Sequence, residues 1–193
     1  MAWQRRGLGG YGCASLPGMQ RILVAGISGA GKSTLARALS NRLAVPCHEM
    51  DGLYFAGPGW AVDEAFPERV AEIAGTPAWI FDSFGYPEVR DLLWERADTI
   101  VWLDYPRRVV MPRVLRRSLR RTVLREPVFN GNRETVAGWF QSDHPAWWAW
   151  SQHAARQAEI RRRTRDPRFA PLRVLRFTSP YSAAVWLRSV APA

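Results

Sequence analysis

The chain has 193 residues, 47% of them hydrophobic, which is enough for one well-buried core and short for two. It contains neither a run of about 18 apolar residues nor an apolar segment near its start of the kind a secretory signal needs, so it reads as a cytoplasmic protein that spans no membrane. The formal charge of +10 suits a polyanion partner, which leaves nucleic acid, a membrane surface or nucleotide phosphates to be separated by where the charge sits.

Met1 to Gly18 is glycine-rich and has no periodicity, and reads as a disordered leader ahead of one domain over 19–193. Arg21 to Ala25 is the first strand, Lys32 to Leu43 a helix, and Pro46 to Met50 a short strand ending at Asp51. Gly52 to Trp60, with Gly57, Pro58 and Gly59, is a loop, followed by a helix from about Glu64 to Ala74. Ala78 to Phe81 is a buried strand ending at Asp82, Glu88 to Arg96 a helix, and Thr99 to Leu103 a strand ending at Asp104. A long helical region begins near Arg107, breaks over Pro127 to Asn132, resumes from Glu134 and restarts after His144-Pro145. Arg173 to Phe177 is the last strand and Ser182 to Val190 the last helix. Near-continuous apolar strands alternating with helices predict an α/β fold with a parallel sheet covered on both faces.

Between the first strand and the first helix stands Gly26-Ile27-Ser28-Gly29-Ala30-Gly31-Lys32-Ser33-Thr34, which satisfies the phosphate-loop spacing. Glycines let the backbone turn tightly around an anion, and the helix behind them directs its positive end at the same point. Gly26, Ser28, Gly29, Ala30, Gly31, Lys32, Ser33 and Thr34 are therefore the candidate nucleotide-binding residues, with Lys32 on the outer phosphates and Ser33 on Mg²⁺. Lys32 is the one lysine of the sequence, the other basic residues being arginines. The two cysteines, Cys13 and Cys47, and the three histidines have no metal-ligand spacing, so no zinc site is expected.

Ligands of such sheets sit at the carboxyl ends of the strands, where Asp51, Asp82 and Asp104 all lie. Asp82 is the candidate carboxylate supporting Mg²⁺ beside Ser33, or a strand-end cap. Asp51 either orients an acceptor hydroxyl or helps hold Mg²⁺, or is a turn aspartate. Asp104, ahead of Tyr105-Pro106, is explained by capping the next helix. Arg90, on the helix after the third strand, either binds an anionic group of the acceptor or pairs with Asp91 or Glu95 on its own helix.

Arg113, Arg117 and Arg121 recur every four residues, opposite an apolar side of Val114, Leu115, Leu119 and Val123. The row runs into a glycine-containing break that includes Arg133, and the whole, about 113–133, suits a lid that brings Arg117, Arg121 and Arg133 over a transferring phosphoryl group. The alternative is a solvated face. Trp139, Trp147, Trp148 and Trp150, at helical spacing, are expected to pack in the core rather than stack on bases.

With these residues placed, "GISGAGKSTLAR", "GPGW", "VRDLLWERADTIVWLDYP", "RRSLRRTVLRE", "GNRE", "WWAWSQH" and "LRVLRFTSP" resemble the adenylate-kinase-like P-loop proteins known as topology modulation proteins, over about Met19 to Val190. The resemblance implies a three-layer P-loop kinase fold with a central parallel five-stranded sheet flanked by helices, ATP and Mg²⁺ binding, and a mobile arginine-bearing lid. Those proteins carry Asp-Gly-Asn-Tyr after the third strand, where this chain has Asp82-Ser83-Phe84-Gly85-Tyr86. The sequence thus predicts an ATP- and Mg²⁺-dependent phosphotransferase acting on a small-molecule acceptor. Its alternative is a nucleotide-dependent DNA-binding regulator, in which the basic helices hold the nucleic-acid backbone.

Overall fold

The computed structural model describes residues 18–57, 59–124, 126–133 and 145–192. Of the expected leader only Gly18 falls within them, and the helical stretch expected from Glu134 falls outside.

The sheet is built on β1 (Arg21–Gly26), whose Ile22, Leu23, Val24 and Ala25 are completely buried. With β2 (Cys47–His48), β3 (Trp79–Phe81), β4 (Thr99–Leu103) and β7 (Arg173–Phe177) it forms a five-stranded parallel sheet in the order β2-β3-β1-β4-β7. Side chains of β1 alternate between two cores, as the strand period of two requires. Ile22 and Val24 pack with α1 (Lys32–Leu43) and α7 (Pro180–Ser189) on one face, and Leu23 and Ala25 pack with α3 (Phe66–Ala74) and α4 (Pro87–Arg96) on the other. The result is a three-layer α/β fold. Because the chain leaves β1 for one flank of the sheet and later crosses to β4 on the other, a crevice opens at the carboxyl end of β1, where the glycine loop stands.

The second strand is shorter than expected. The chain turns at Glu49 into a five-residue helix, α2 (Met50–Tyr54), where a loop was expected from Gly52. A helix this short, with a glycine in it, is not favoured by local propensity. It is held by tertiary contacts: Met50 is fully buried and its N–H donates to Asp82 Oδ1 at 2.9 Å. Asp51 therefore lies in the first turn of a helix and not at a strand end.

After β4 comes α5 (Arg107–Leu124), followed by a small antiparallel hairpin of β5 (Pro127–Val128) and β6 (Asn132–Arg133) where the sequence shows its break. Phe129, Asn130 and Gly131 take positive φ at its tip. α6 (Pro145–Arg163) packs against α5. Two tryptophans on α6 depart from the expected core role, since Trp147 is 59% and Trp150 51% exposed. The inner face of this helix is instead supplied by Ala149, His153 and Ile160, a stripe at helical spacing that excludes both indoles. Trp139 and the Trp148 side chain fall outside the described residues.

Candidate active site

The loop after β1 is shaped by close approaches that leave no room for side chains. A Cβ on Gly26 would sit 2.9 Å from the Leu103 carbonyl oxygen, and one on Gly29, at φ +81°, would sit 2.4 Å from Val114 Cγ2 and 2.8 Å from the Val110 carbonyl oxygen. Gly29 is thus the seat of α5 on the loop. Arg117, one turn beyond Val114, donates from Nη2 to Ser28 Oγ at 2.9 Å. Gly31, at φ +93°, then starts α1 with no side chain capping it. The first amides of α1 consequently border the loop, a disposition suited to an anion.

Lys32, the first residue of α1, is half-buried and its Nζ donates to the Ile27 carbonyl oxygen at 3.4 Å. Burial lowers its pKa, and the Asp51 and Asp82 carboxylates oppose that shift. It is not the surface lysine that a helix-start position suggests. The Ser33 hydroxyl donates to Asp82 Oδ2, while Asp82 Oδ1 accepts from the Met50 amide. Asp82 stands at the end of β3 and is buried, so a single carboxylate joins the glycine loop, β3 and α2. Asp51, one residue beyond Met50, accepts from the Tyr86 hydroxyl at 2.9 Å. Its pKa is raised, chiefly by burial, with Lys32 and the Tyr86 hydrogen bond acting against the rise. Tyr86 is raised in turn by burial and by the Asp51 charge, so its proton stays on and it remains a donor.

The glycine loop opens into a cleft of about 640 Å³. Residues from Gly29 to Thr34 form one wall, Arg113, Arg117 and Arg121 of α5 form another, and Pro180 and Ala183 of α7 close the far side. The row of arginines read at four-residue spacing thus faces the cleft. Arg133 is the last residue of β6, paired in register with Pro127. The hairpin is tied to the other rim of the site: Asn130 Nδ2 donates to the Gly52 carbonyl oxygen at 3.1 Å, and the Trp60 amide donates to Asn132 Oδ1 at 2.8 Å.

Two residues take partners that the sequence did not show. Arg90 pairs with neither Asp91 nor Glu95; its Nη1 donates to Glu159 of α6 at 2.6 Å and its Nε to the Gly85 carbonyl oxygen at 3.0 Å. Asp91 is taken instead by Arg163 at 2.6 Å. Asp104 is structural but not as a cap, since its carboxylate accepts from Gln157 at 2.6 Å and from Arg176 Nε at 2.7 Å, joining β4 to α6 and β7. Tyr86 and Met50 had no sequence signal of their own beyond standing next to Asp82 and Asp51. Arg156, whose guanidinium lies 4.1 Å from the Phe84 ring centroid, had none at all.

Oxygen donors suit Mg²⁺, which is commonly held by one or two protein oxygens together with phosphate oxygens and water. Ser33 Oγ and Asp82 Oδ2, side by side at the mouth of the loop, match that demand. Among the described residues no group of three or more His, Cys, Asp or Glu forms an all-protein metal cage.

No protein-family profile matches the chain, and no curated protein matches it. Among solved structures it is similar to a shikimate kinase from Acinetobacter baumannii in complex with shikimate, at 15% identity and a TM-score of 0.56, covering 89% of this chain and 90% of that one. It is also similar to a sugar kinase from Janibacter sp., at 19% identity and a TM-score of 0.51, covering 91% of this chain and 97% of that one. The chain has the fold of these P-loop kinases, with the five-stranded parallel sheet and its flanking helices. Among the described residues no helix is long and apolar enough to cross a membrane.

Proposed function

We propose that the chain is an ATP- and Mg²⁺-dependent phosphotransferase acting on a small-molecule acceptor. The observation that carries this reading is the joining of Ser33, Asp82 and the Met50 amide, which sets Asp51 and its Tyr86 hydrogen bond across from Lys32 at the mouth of the glycine loop.

Residues Gly26, Ser28, Gly29, Ala30, Gly31, Lys32, Ser33 and Thr34 hold the triphosphate. Lys32 sets its charge against the outer phosphates, and Arg117 and Arg121, with Arg133 from the hairpin, surround the transferring group. Ser33 and Asp82 hold Mg²⁺, which neutralises charge on the phosphates when bound. Asp51 orients the acceptor hydroxyl and takes its proton as the acceptor oxygen forms the new bond to the γ-phosphorus. The bond from that phosphorus to the bridging oxygen breaks, and its electron pair leaves with ADP. Tyr86 fixes the carboxylate while this happens. In this reading Asp51 is both a catalytic and an acceptor-binding residue.

The arginines of α5 bear on the alternative. A DNA-binding regulator would present them outward; Arg113, Arg117 and Arg121 line the cleft, while Arg116 and Arg120 on the same helix are exposed. As part of the same proposal, the chain is read as a relative of the topology modulation proteins of the adenylate-kinase-like group, a reading supported by its motifs alone. The test is acceptor-dependent ADP release across panels of nucleosides, nucleotides, hydroxy acids and small alcohols. Lys32→Ala is expected to abolish it, and Asp51→Asn to lower kcat while leaving the ATP KM unchanged. Turnover by Lys32→Ala at the parental rate would overturn the reading.

A further inference from the structure

α5 carries three lines of residues at four-residue spacing, and two of them are accounted for. Val110, Val114 and Ser118 are buried, and Arg113, Arg117 and Arg121 line the cleft. The third line, Leu115, Leu119 and Val123, is 43%, 57% and 67% exposed. A step of four residues turns a helix by only about 40°, so these apolar side chains form one continuous stripe. Each stands two residues after a cleft arginine, about 200° around the axis, so the stripe and the cleft lie on opposite sides of the helix.

The stripe has a basic border. Exposed Arg116 and Arg120 stand three residues before Leu119 and Val123, which sets an arginine row alongside the apolar one. Arg108, also exposed, stands seven residues before Leu115 and extends the same face toward the start of the helix. Arg120 is paired with Glu126 at 2.8 Å, whereas no hydrogen bond or ion pair holds Arg108 or Arg116 among the described residues. Where Arg107 begins α5, its guanidinium lies 4.6 Å from the ring centroid of Trp150, itself half exposed on α6.

Charge decides what such a face can meet. α5 carries seven arginines and no acidic residue, so a second copy of the same face would set arginine against arginine. A nucleic-acid backbone would take the arginines and leave Leu115, Leu119 and Val123 in water. An anionic bilayer takes both rows, its headgroups meeting the guanidiniums and its acyl boundary receiving the apolar side chains, with tryptophan suited to the interface. We infer that the outer face of α5 is a peripheral docking surface for an anionic lipid bilayer, with Leu115, Leu119 and Val123 inserted at its surface and Arg108 and Arg116 on lipid phosphates. The helix lies on the bilayer without crossing it, and the cleft on its other side stays open to solution.

The test is co-sedimentation of the full chain with vesicles of equal parts phosphatidylglycerol and phosphatidylcholine, and with vesicles of phosphatidylcholine alone. Binding to the mixed vesicles at least about tenfold stronger than to the neutral ones is expected. Arg108→Gln with Arg116→Gln, and separately Leu119→Ser with Val123→Ser, should each weaken it about tenfold or more. All four side chains are exposed, and thermal melting checks that both variants are folded. Absence of binding to the mixed vesicles, or equal binding to both kinds, overturns the inference. Binding that survives the serine variant at parental strength would reduce the contact to charge alone, as a nucleic-acid backbone requires, and overturns it too. A dimer formed without lipid and dissociated by the serine variant would give the face to a second copy, with the same consequence. The measurement involves no turnover, so its outcome is independent of the phosphotransferase reading.

Discussion

At the scale of single residues, two glycines of the same loop separate two physical costs. Gly29 and Gly31 both take φ values that side-chain-bearing residues rarely adopt, yet only Gly29 is pressed against a neighbour, the Val110–Val114 turn of α5. Gly31→Ala therefore adds left-handed strain alone, about 1–2 kcal/mol of lost stability. Gly29→Ala adds overpacking to the same strain and is expected to cost about 2–5 kcal/mol. Urea denaturation of the two variants measures the difference; equal losses would mean that α5 does not rest on the loop as described. The carboxylates show a similar division of labour. Asp82 is fixed from two sides, by Ser33 and by the Met50 amide, whereas the Asp51 carboxylate accepts from Tyr86 alone among the described hydrogen bonds. The group fixed twice belongs to the metal side in the proposed reaction, and the group with the single, protonated partner belongs to the acceptor.

At the scale of elements, the strands and most helices were legible in the sequence because each carries a local apolar pattern, which holds for the fully buried β4 and for the largely exposed β7 alike. Thr99 to Leu103 and Arg173 to Phe177 were read with their observed bounds, and the glycine loop was read from spacing. What escaped was settled by partners far along the chain. α2 exists because Asp82 captures the Met50 amide, Arg90 turns to Glu159 on α6, and Trp147 and Trp150 face outward because Ala149, His153 and Ile160 already fill the inner stripe of α6. No local pattern carries such information. The lid is a case in between. Its arginine spacing was visible, but Val110, Val114 and Ser118 are fully buried, so the first half of α5 belongs to the core. Beyond Ser118 the apolar residues are outside, with Leu119 57% and Val123 67% exposed. Motion on nucleotide binding is therefore expected from 119–133 and not from the whole of 113–133. Amide exchange should show 107–118 protected with or without ATP and Mg²⁺, and 119–133 gaining protection when they bind. Protection gained uniformly from 107 onward would make α5 move as one body.

At the scale of the whole molecule, the charge of +10 is what keeps a nucleic-acid partner in view, and its placement decides how to test for one. A binder of polyphosphate in a cleft and a binder of a nucleic-acid backbone both gain stability from an anion, but they do so with different salt laws. Mg²⁺-ATP at a hundred times its Kd should stabilise the chain by about 2.7 kcal/mol. For a chain of this length that raises Tm by about 5–10 °C. Lys32→Ala should remove most of the shift, because the charge facing the outer phosphates is gone. Duplex DNA held by several arginines would behave otherwise: six to ten phosphate contacts lose roughly 10³–10⁵ in affinity between 50 and 200 mM salt. Its Tm shift would vanish over that range and would not depend on Lys32. The arginines lining the cleft favour the first outcome, so melting curves at the two salt concentrations should show an ATP shift that persists and is Lys32-dependent. A shift produced by duplex DNA at 50 mM salt, lost at 200 mM and equal in the Lys32→Ala variant, would instead assign the basic face of α5 to nucleic acid and leave the phosphotransferase reading without its support from charge.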